Sequence, residues 1–285
     1  MTFTRCHLTL AIAAAIAAGT QSTGHAAGDP ARGEYLFHAG GCESCHTAKD
    51  GAPLAGGVRL ETPFGTFVAP NITPHSQAGI GGWSEADFIH AMTEGISPEG
   101  APYYPAFPFT SYARMTERDL RDLKAWLDTV APVATPAPPH DVAFPFSLRF
   151  GLWPWRWLFF DRQPFVADPA KTDEWNRGAY LVQGPGHCGE CHSPRNLLGV
   201  VDESRAFAGN DNGPDGKSVP GLRPDDDIGG WSVGDVVTLL QLGLTPDGDF
   251  MGGAMTDVIK NDTSKLTDAD VRAIAVYLKD LPPLE

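Results

Sequence analysis

Apolar residues recur at helical spacing in several stretches of the chain, each opened by a small polar residue. Leu120, Leu123, Trp126 and Leu127 fall on one face after Thr116, and Val271, Ile274, Tyr277 and Leu278 do so after Thr267. Both sets follow the period of about 3.6 residues that lays one stripe of a helix against a core. An acid three residues after each threonine, Asp119 and Asp270, completes the pattern of a capping box. Ser84 with Asp87 and Ser232 with Asp235 open a second pair of helices, stopped by Gly95 and Gly243. A first helix in each half starts at Asp29-Pro30 and at Thr172 or Asp173. Three helices per half, with little strand pattern, predict an all-α chain.

The halves are copies of one unit, 145 to 148 residues apart. Gly33-Glu34-Tyr35-Leu36 returns as Gly178-Ala179-Tyr180-Leu181, and Ile80-Gly81-Gly82-Trp83-Ser84 returns as Ile228-Gly229-Gly230-Trp231-Ser232. At roughly 150 residues per domain, 285 residues make about two domains, placed here at 27–135 and 171–285. The connector, 136–170, is proline-rich up to Pro139 and then aromatic, with Trp153, Trp155 and Trp157 among Arg149, Arg156 and Arg162. It is expected to pack its aromatics between the halves; a membrane-surface or partner-docking patch is the other reading. Pro154 and the arginines bar a membrane-spanning helix.

Residues 1–26 read as a secretory signal peptide: Arg5 and His7, an apolar run from Leu8 to Ala18, then small residues at Gly24 and Ala26 suited to cleavage after Ala26. The run is 11 residues, too short for a bilayer core about 30 Å thick. Cys6 leaves with the peptide, and the mature chain is placed in the periplasm. A net charge of −14 repels phosphates and excludes nucleic acid as a partner.

The mature chain then holds four cysteines in two close pairs, Cys42-Glu43-Ser44-Cys45-His46 and Cys188-Gly189-Glu190-Cys191-His192. Cys-x-x-Cys-His is the attachment pattern of c-type haem. Two thiols a helical turn apart can bond both vinyl groups of one porphyrin, and the imidazole that follows lies beneath the iron. A redox dithiol would not call for the histidine, and zinc would call for four ligands in one cluster. Two covalent haems c are therefore expected, with His46 and His192 as axial iron ligands. Met255 is the expected sixth ligand of the second haem. Alignment of the halves puts Phe107 opposite Met255, so the first haem needs another residue or stays open. Met115 is the nearest candidate, with Met92, His38, His75, His90 and His140 also available.

Thr-Pro-Phe-Gly-Thr (62–66), Pro-Asn-Ile-Thr-Pro (70–74), Tyr-Tyr-Pro-Ala-Phe-Pro-Phe (103–109) and Gly-His-Cys-Gly-Glu-Cys-His-Ser-Pro-Arg-Asn (186–196) resemble the cytochrome c subunits of membrane-bound alcohol, gluconate and sorbitol dehydrogenases. The resemblance spans nearly the whole mature chain and implies two tandem cytochrome c-like domains. It also implies a role: electrons arrive from a quinoprotein or flavoprotein dehydrogenase and leave toward a cytochrome, quinone or oxidase, with peripheral membrane association. Those subunits typically carry three such motifs where this chain has two, so a smaller dihaem relative is expected. Their loop often reads Pro-Ala-Met-Pro where this one reads Pro-Ala-Phe-Pro (105–108). Arg195 is read as a haem propionate partner or a solvated loop residue. The leading reading is a periplasmic dihaem electron carrier without a catalytic site of its own. The alternative is a dihaem enzyme whose open first haem binds peroxide or another small oxidant.

Overall fold

The computed structural model describes residues 27–213, 216–226 and 228–284. The expected signal peptide, its cleavage site after Ala26 and Cys6 lie outside them. In the first half α1 (Pro30–Ala39), α3 (Glu85–Glu94) and α5 (Glu117–Leu127) are the long helices, with short turns α2 (Cys42–His46) and α4 (Phe109–Tyr112). In the second half α7 (Asp173–Gln183), α9 (Val233–Leu242) and α11 (Asp268–Lys279) match them, with α8 (Gly189–His192) and α10 (Ala254–Asn261). Between the halves lies α6 (Leu152–Phe159).

The described residues are mostly helical, as expected, with 40% helix against 8% strand. A three-stranded antiparallel sheet, β1 (Arg59–Thr62), β2 (Gly65–Val68) and β3 (Asp141–Val142), runs in the order β1-β2-β3. Its strands are too short to show an alternating pattern, and Gly65 faces Val142, far along the chain. A Cβ on Gly65 would stand 2.5 Å from the Asp141 carbonyl oxygen, so glycine lets β3 close against β2. The Val68 amide donates to His140 Nδ1 at 3.0 Å and Asn71 donates to the Val133 and Thr135 carbonyls, which keeps the start of the connector on the first half.

Each half has its own core. In the first, Leu36, Phe37, Phe88, Leu120 and Leu123 pack together; in the second, Leu181, Val236, Val271, Ile274 and Tyr277 do so. The first and last helices of each half cross over a glycine. A Cβ on Gly33 would stand 1.9 Å from the Asp122 carbonyl oxygen, and one on Gly178 would stand 1.9 Å from that of Ala273. Only glycine admits backbones this close.

The capping boxes at Ser84/Asp87 and Ser232/Asp235 form reciprocally. The other two form by halves. Thr116 and Thr267 accept the amides of Asp119 and Asp270, but the carboxylates turn elsewhere. Arg32 bridges Asp119 at 2.5 Å and Asp122 at 2.8 Å, while Arg177 bonds Asp270 at 2.9 and 2.6 Å. Each acid also takes a phenol from the opposite half: Tyr180 donates to Asp119 at 2.5 Å and Tyr35 donates to Asp270 at 2.6 Å. Tyr35 and Tyr180 are the same position of the repeat, so one contact is made twice with the halves exchanged. That is the signature of an approximate two-fold relation.

The connector does not bury all its aromatics between the halves. Phe160 packs on Phe109 and Phe165 on Tyr180, but Phe144 is 79% exposed and Trp157 83% exposed. The arginines turn inward, Arg156 and Arg162 to Glu94 and Arg149 to the Pro102 carbonyl, so they hold α6 to the body while its apolar side faces out. No helix among the described residues is long and apolar enough to cross a membrane.

Candidate functional site

Both Cys-x-x-Cys-His stretches fold as single helical turns, each entered through a left-handed backbone, Gly41 at φ 60° and His187 at φ 38°. Residues three apart in such a turn are neighbours, which places both thiols of a motif on one side. Cys42, Cys45, Cys188 and Cys191 are free thiols rather than disulfides. Burial raises the pKa of all four, Cys45 to about 11 and Cys188 to about 12.

The histidines are aimed from behind. His46 Nδ1 lies 2.7 Å from the Pro70 carbonyl oxygen and His192 Nδ1 lies 2.8 Å from that of Pro220. A carbonyl can only accept, so Nδ1 donates and Nε2 keeps a free lone pair. Burial lowers the pKa of both rings below the usual imidazole value and keeps them neutral. A neutral imidazole fixed through its far nitrogen is the form that ligates iron. Two neutral thiols beside one oriented Nε2, present twice, fit covalently held haem.

Met255 is the second residue of α10 rather than a loop residue, and is partly buried. Met115 is 4% exposed and sits in the first core with Met92 and Tyr112. Phe107 packs beside the same core, its ring 5.5 Å from Tyr103 and 5.7 Å from Tyr112. Three of the alternative histidines are engaged: His38 Nδ1 with the Asn261 carbonyl, His75 Nδ1 accepting the Ala78 amide, and His140 Nδ1 accepting that of Val68.

Cys45 of the first motif and Cys191 of the second lie within electrostatic reach of each other across the boundary between halves. Each attachment turn is touched by the opposite half. On α8, Glu190 accepts the hydroxyls of Thr110 and Ser111, both at 2.8 Å, and pairs with Arg195. Arg195 is therefore spent on the attachment turn itself instead of standing free in solvent. On α2, Ser44 donates to Asp262 of the second half at 3.3 Å. No role for Pro70, Pro220 or Asp262 was legible in the sequence. The first two act through backbone carbonyls, and the third lies far along the chain from its partner.

Residues 30–131 match the Cytochrome c family profile. A protein of Cereibacter sphaeroides named "Diheme cytochrome c-type" is 49% identical, the match covering 90% of this chain and 88% of that protein. The fructose dehydrogenase cytochrome subunit of Gluconobacter japonicus is 40% identical, with 88% of this chain matched to 52% of it. The cytochrome c subunit of a quinone-dependent alcohol dehydrogenase of Gluconobacter oxydans is 39% identical, over 88% of this chain and 54% of its own length. The chain thus spans about half the length of those two dehydrogenase subunits. Paired Cys-x-x-Cys-His turns, oriented histidines and these relatives agree, and the chain belongs to the cytochrome c family, with similarity to a dihaem cytochrome c and to dehydrogenase cytochrome subunits.

Proposed function

We propose that the chain is a periplasmic dihaem cytochrome c of two tandem domains joined by the aromatic connector, which takes single electrons from a quinoprotein or flavoprotein dehydrogenase and passes them toward the respiratory chain. The observation that carries this reading is the twice-repeated turn with two thiols and a histidine whose Nδ1 is held by a backbone carbonyl. Haem c, once attached, supplies a one-electron ferric/ferrous couple. Cys42 and Cys45 would hold the first group and Cys188 and Cys191 the second, as thioethers. His46 and His192 would bind iron through Nε2, and the Pro70 and Pro220 carbonyls would keep those rings from turning. Met255 would supply a further iron ligand to the second haem and Met115 to the first. The Tyr35–Asp270 and Tyr180–Asp119 bonds would fix the separation of the two attachment turns. Peripheral membrane association is assigned to the outward face of α6, where Trp153 and Trp157 are exposed beside Arg156 and Arg162.

The test is rapid mixing of the haem-loaded protein with a quinoprotein or flavoprotein dehydrogenase and its substrate. Both haem bands should reduce, and the rate should fall with added salt because a chain of charge −14 docks through electrostatics. Haem that stays oxidised with every such dehydrogenase, or that turns over peroxide instead, would overturn the reading in favour of the enzyme alternative.

A further inference from the structure

One carboxyl at the attachment turns lacks the partners that its counterpart in the other half has. Asp262 follows α10, is 5% exposed, and leaves its Oδ1 buried with no hydrogen-bond partner. Its Oδ2 accepts only the long bond from Ser44 on α2, and stands 3.0 Å from where a Cβ on Gly41 would be. Glu190, on the matching turn of the second half, accepts two hydroxyls and pairs with Arg195. The repeat has thus exchanged roles: hydroxyl on α2 and acid on the opposite half at the first motif, acid on α8 and hydroxyl on the opposite half at the second. Only the second acid acquired a cation.

The groups around Asp262 do nothing to neutralise it. From α2 it faces Glu43, Ser44 and the thiols of Cys42 and Cys45; from α10, Asp257; from α4, Tyr112; and α1 sends His38 to the neighbouring Asn261 carbonyl. Asp262 also sits at the carboxyl end of α10, where the helix dipole disfavours an anion. Burial, with Glu43 and Asp257 adding to it, pushes its pKa up to about 7, while the Ser44 bond pulls the other way. A group poised near neutrality beside a centre that changes charge by one will take up or release a proton to solvent as that charge changes.

We propose that Asp262 is a proton-binding site coupled to the first haem, so that its carboxylate takes one proton from solvent when that haem gains an electron and returns it when the electron leaves. This rests on the haem attachment argued above. Reduction lowers the local positive charge by one, which raises the proton affinity of the nearby carboxylate, and the incoming proton restores the balance. The electron comes from any one-electron donor, including a mediator at an electrode. Glu190, on the matching turn, differs in having Arg195 paired with it.

The experiment is spectroelectrochemistry of protein carrying both haems, from about pH 5 to about pH 9. One potential should fall through neutrality as pH rises while the other stays comparatively level, and Asp262→Asn should level both. If proton affinity differs tenfold between redox states, the pH-dependent potential changes by about 59 mV in total for a one-electron couple. Should Asp262→Asn not load haem, the reduced-minus-oxidised infrared spectrum of the unaltered protein, with aspartate carboxyl carbon isotopically labelled, gives the same answer: an isotope-shifted protonated-carboxyl band should appear on reduction. A slope unchanged in Asp262→Asn, or no such band, overturns the proposal in a protein that still holds two haems. Protein lacking haem at Cys42 and Cys45 instead overturns the functional reading beneath it.

Discussion

At His46 and His192 a backbone carbonyl decides which nitrogen is free, and through it what the ring can bind. The motif histidines are legible in the sequence, but Pro70 and Pro220 are not, because a carbonyl acceptor leaves no side-chain signature. The methionines are legible only as candidates, since spacing gives no direction to a side chain. Met255→Ala should turn one ferric haem from low to high spin, and Met115→Ala should do so to the other, each read by the ferric absorption spectrum; a variant with unchanged spectrum is not missing a ligand. Asp262 carries a stability consequence of definite sign. Its pKa in the folded chain is raised from 3.8 to about 7, so its contribution is full below the unfolded value and is lost as pH rises through the folded one. Urea denaturation should therefore find Asp262→Asn gaining on the unaltered protein as pH rises from about 4 past about 7.

Among the elements, the six long helices and their starts follow from period and caps, since a serine, threonine or aspartate followed by an apolar stripe specifies both ends of the argument locally. Where the reading fell short, distant partners had intervened. Asp119 and Asp270 abandon their capping boxes for Arg32 and Arg177, because a paired charge outbids a neutral amide and neither arginine is near in sequence. The third strand of the short sheet escaped notice for the same reason, with Gly65 meeting Val142 at a separation of 77 positions. Gly178→Ala should destabilise the second half by about 1–3 kcal/mol, because the added methyl meets the α11 backbone and one helix must move. Tyr180→Phe should cost about 1.5–3 kcal/mol by removing a buried bond to the Asp119 carboxylate. Thermal unfolding of both variants checks these values, and a neutral result for either would remove the close crossing or the exchanged phenol from what holds the fold.

For the whole molecule, repetition was the clearest signal in the sequence, and the structure adds how the copies meet: phenol to acid twice, and each attachment turn bonded to the opposite half. The connector could not be read the same way, since its arginines and tryptophans fit either a buried or an exposed face until Glu94 is seen to hold Arg156 and Arg162 inward. All of the proposed electron transfer depends on iron porphyrin being bonded to both pairs of thiols. Intact mass of protein matured in a cytochrome-building host, taken after acid–acetone extraction, tests that most directly. The account predicts a polypeptide heavier by two haems, losing one in Cys42→Ala/Cys45→Ala and the other in Cys188→Ala/Cys191→Ala. A chain at its bare polypeptide mass, or one that keeps both haems when either pair of cysteines is removed, would contradict it.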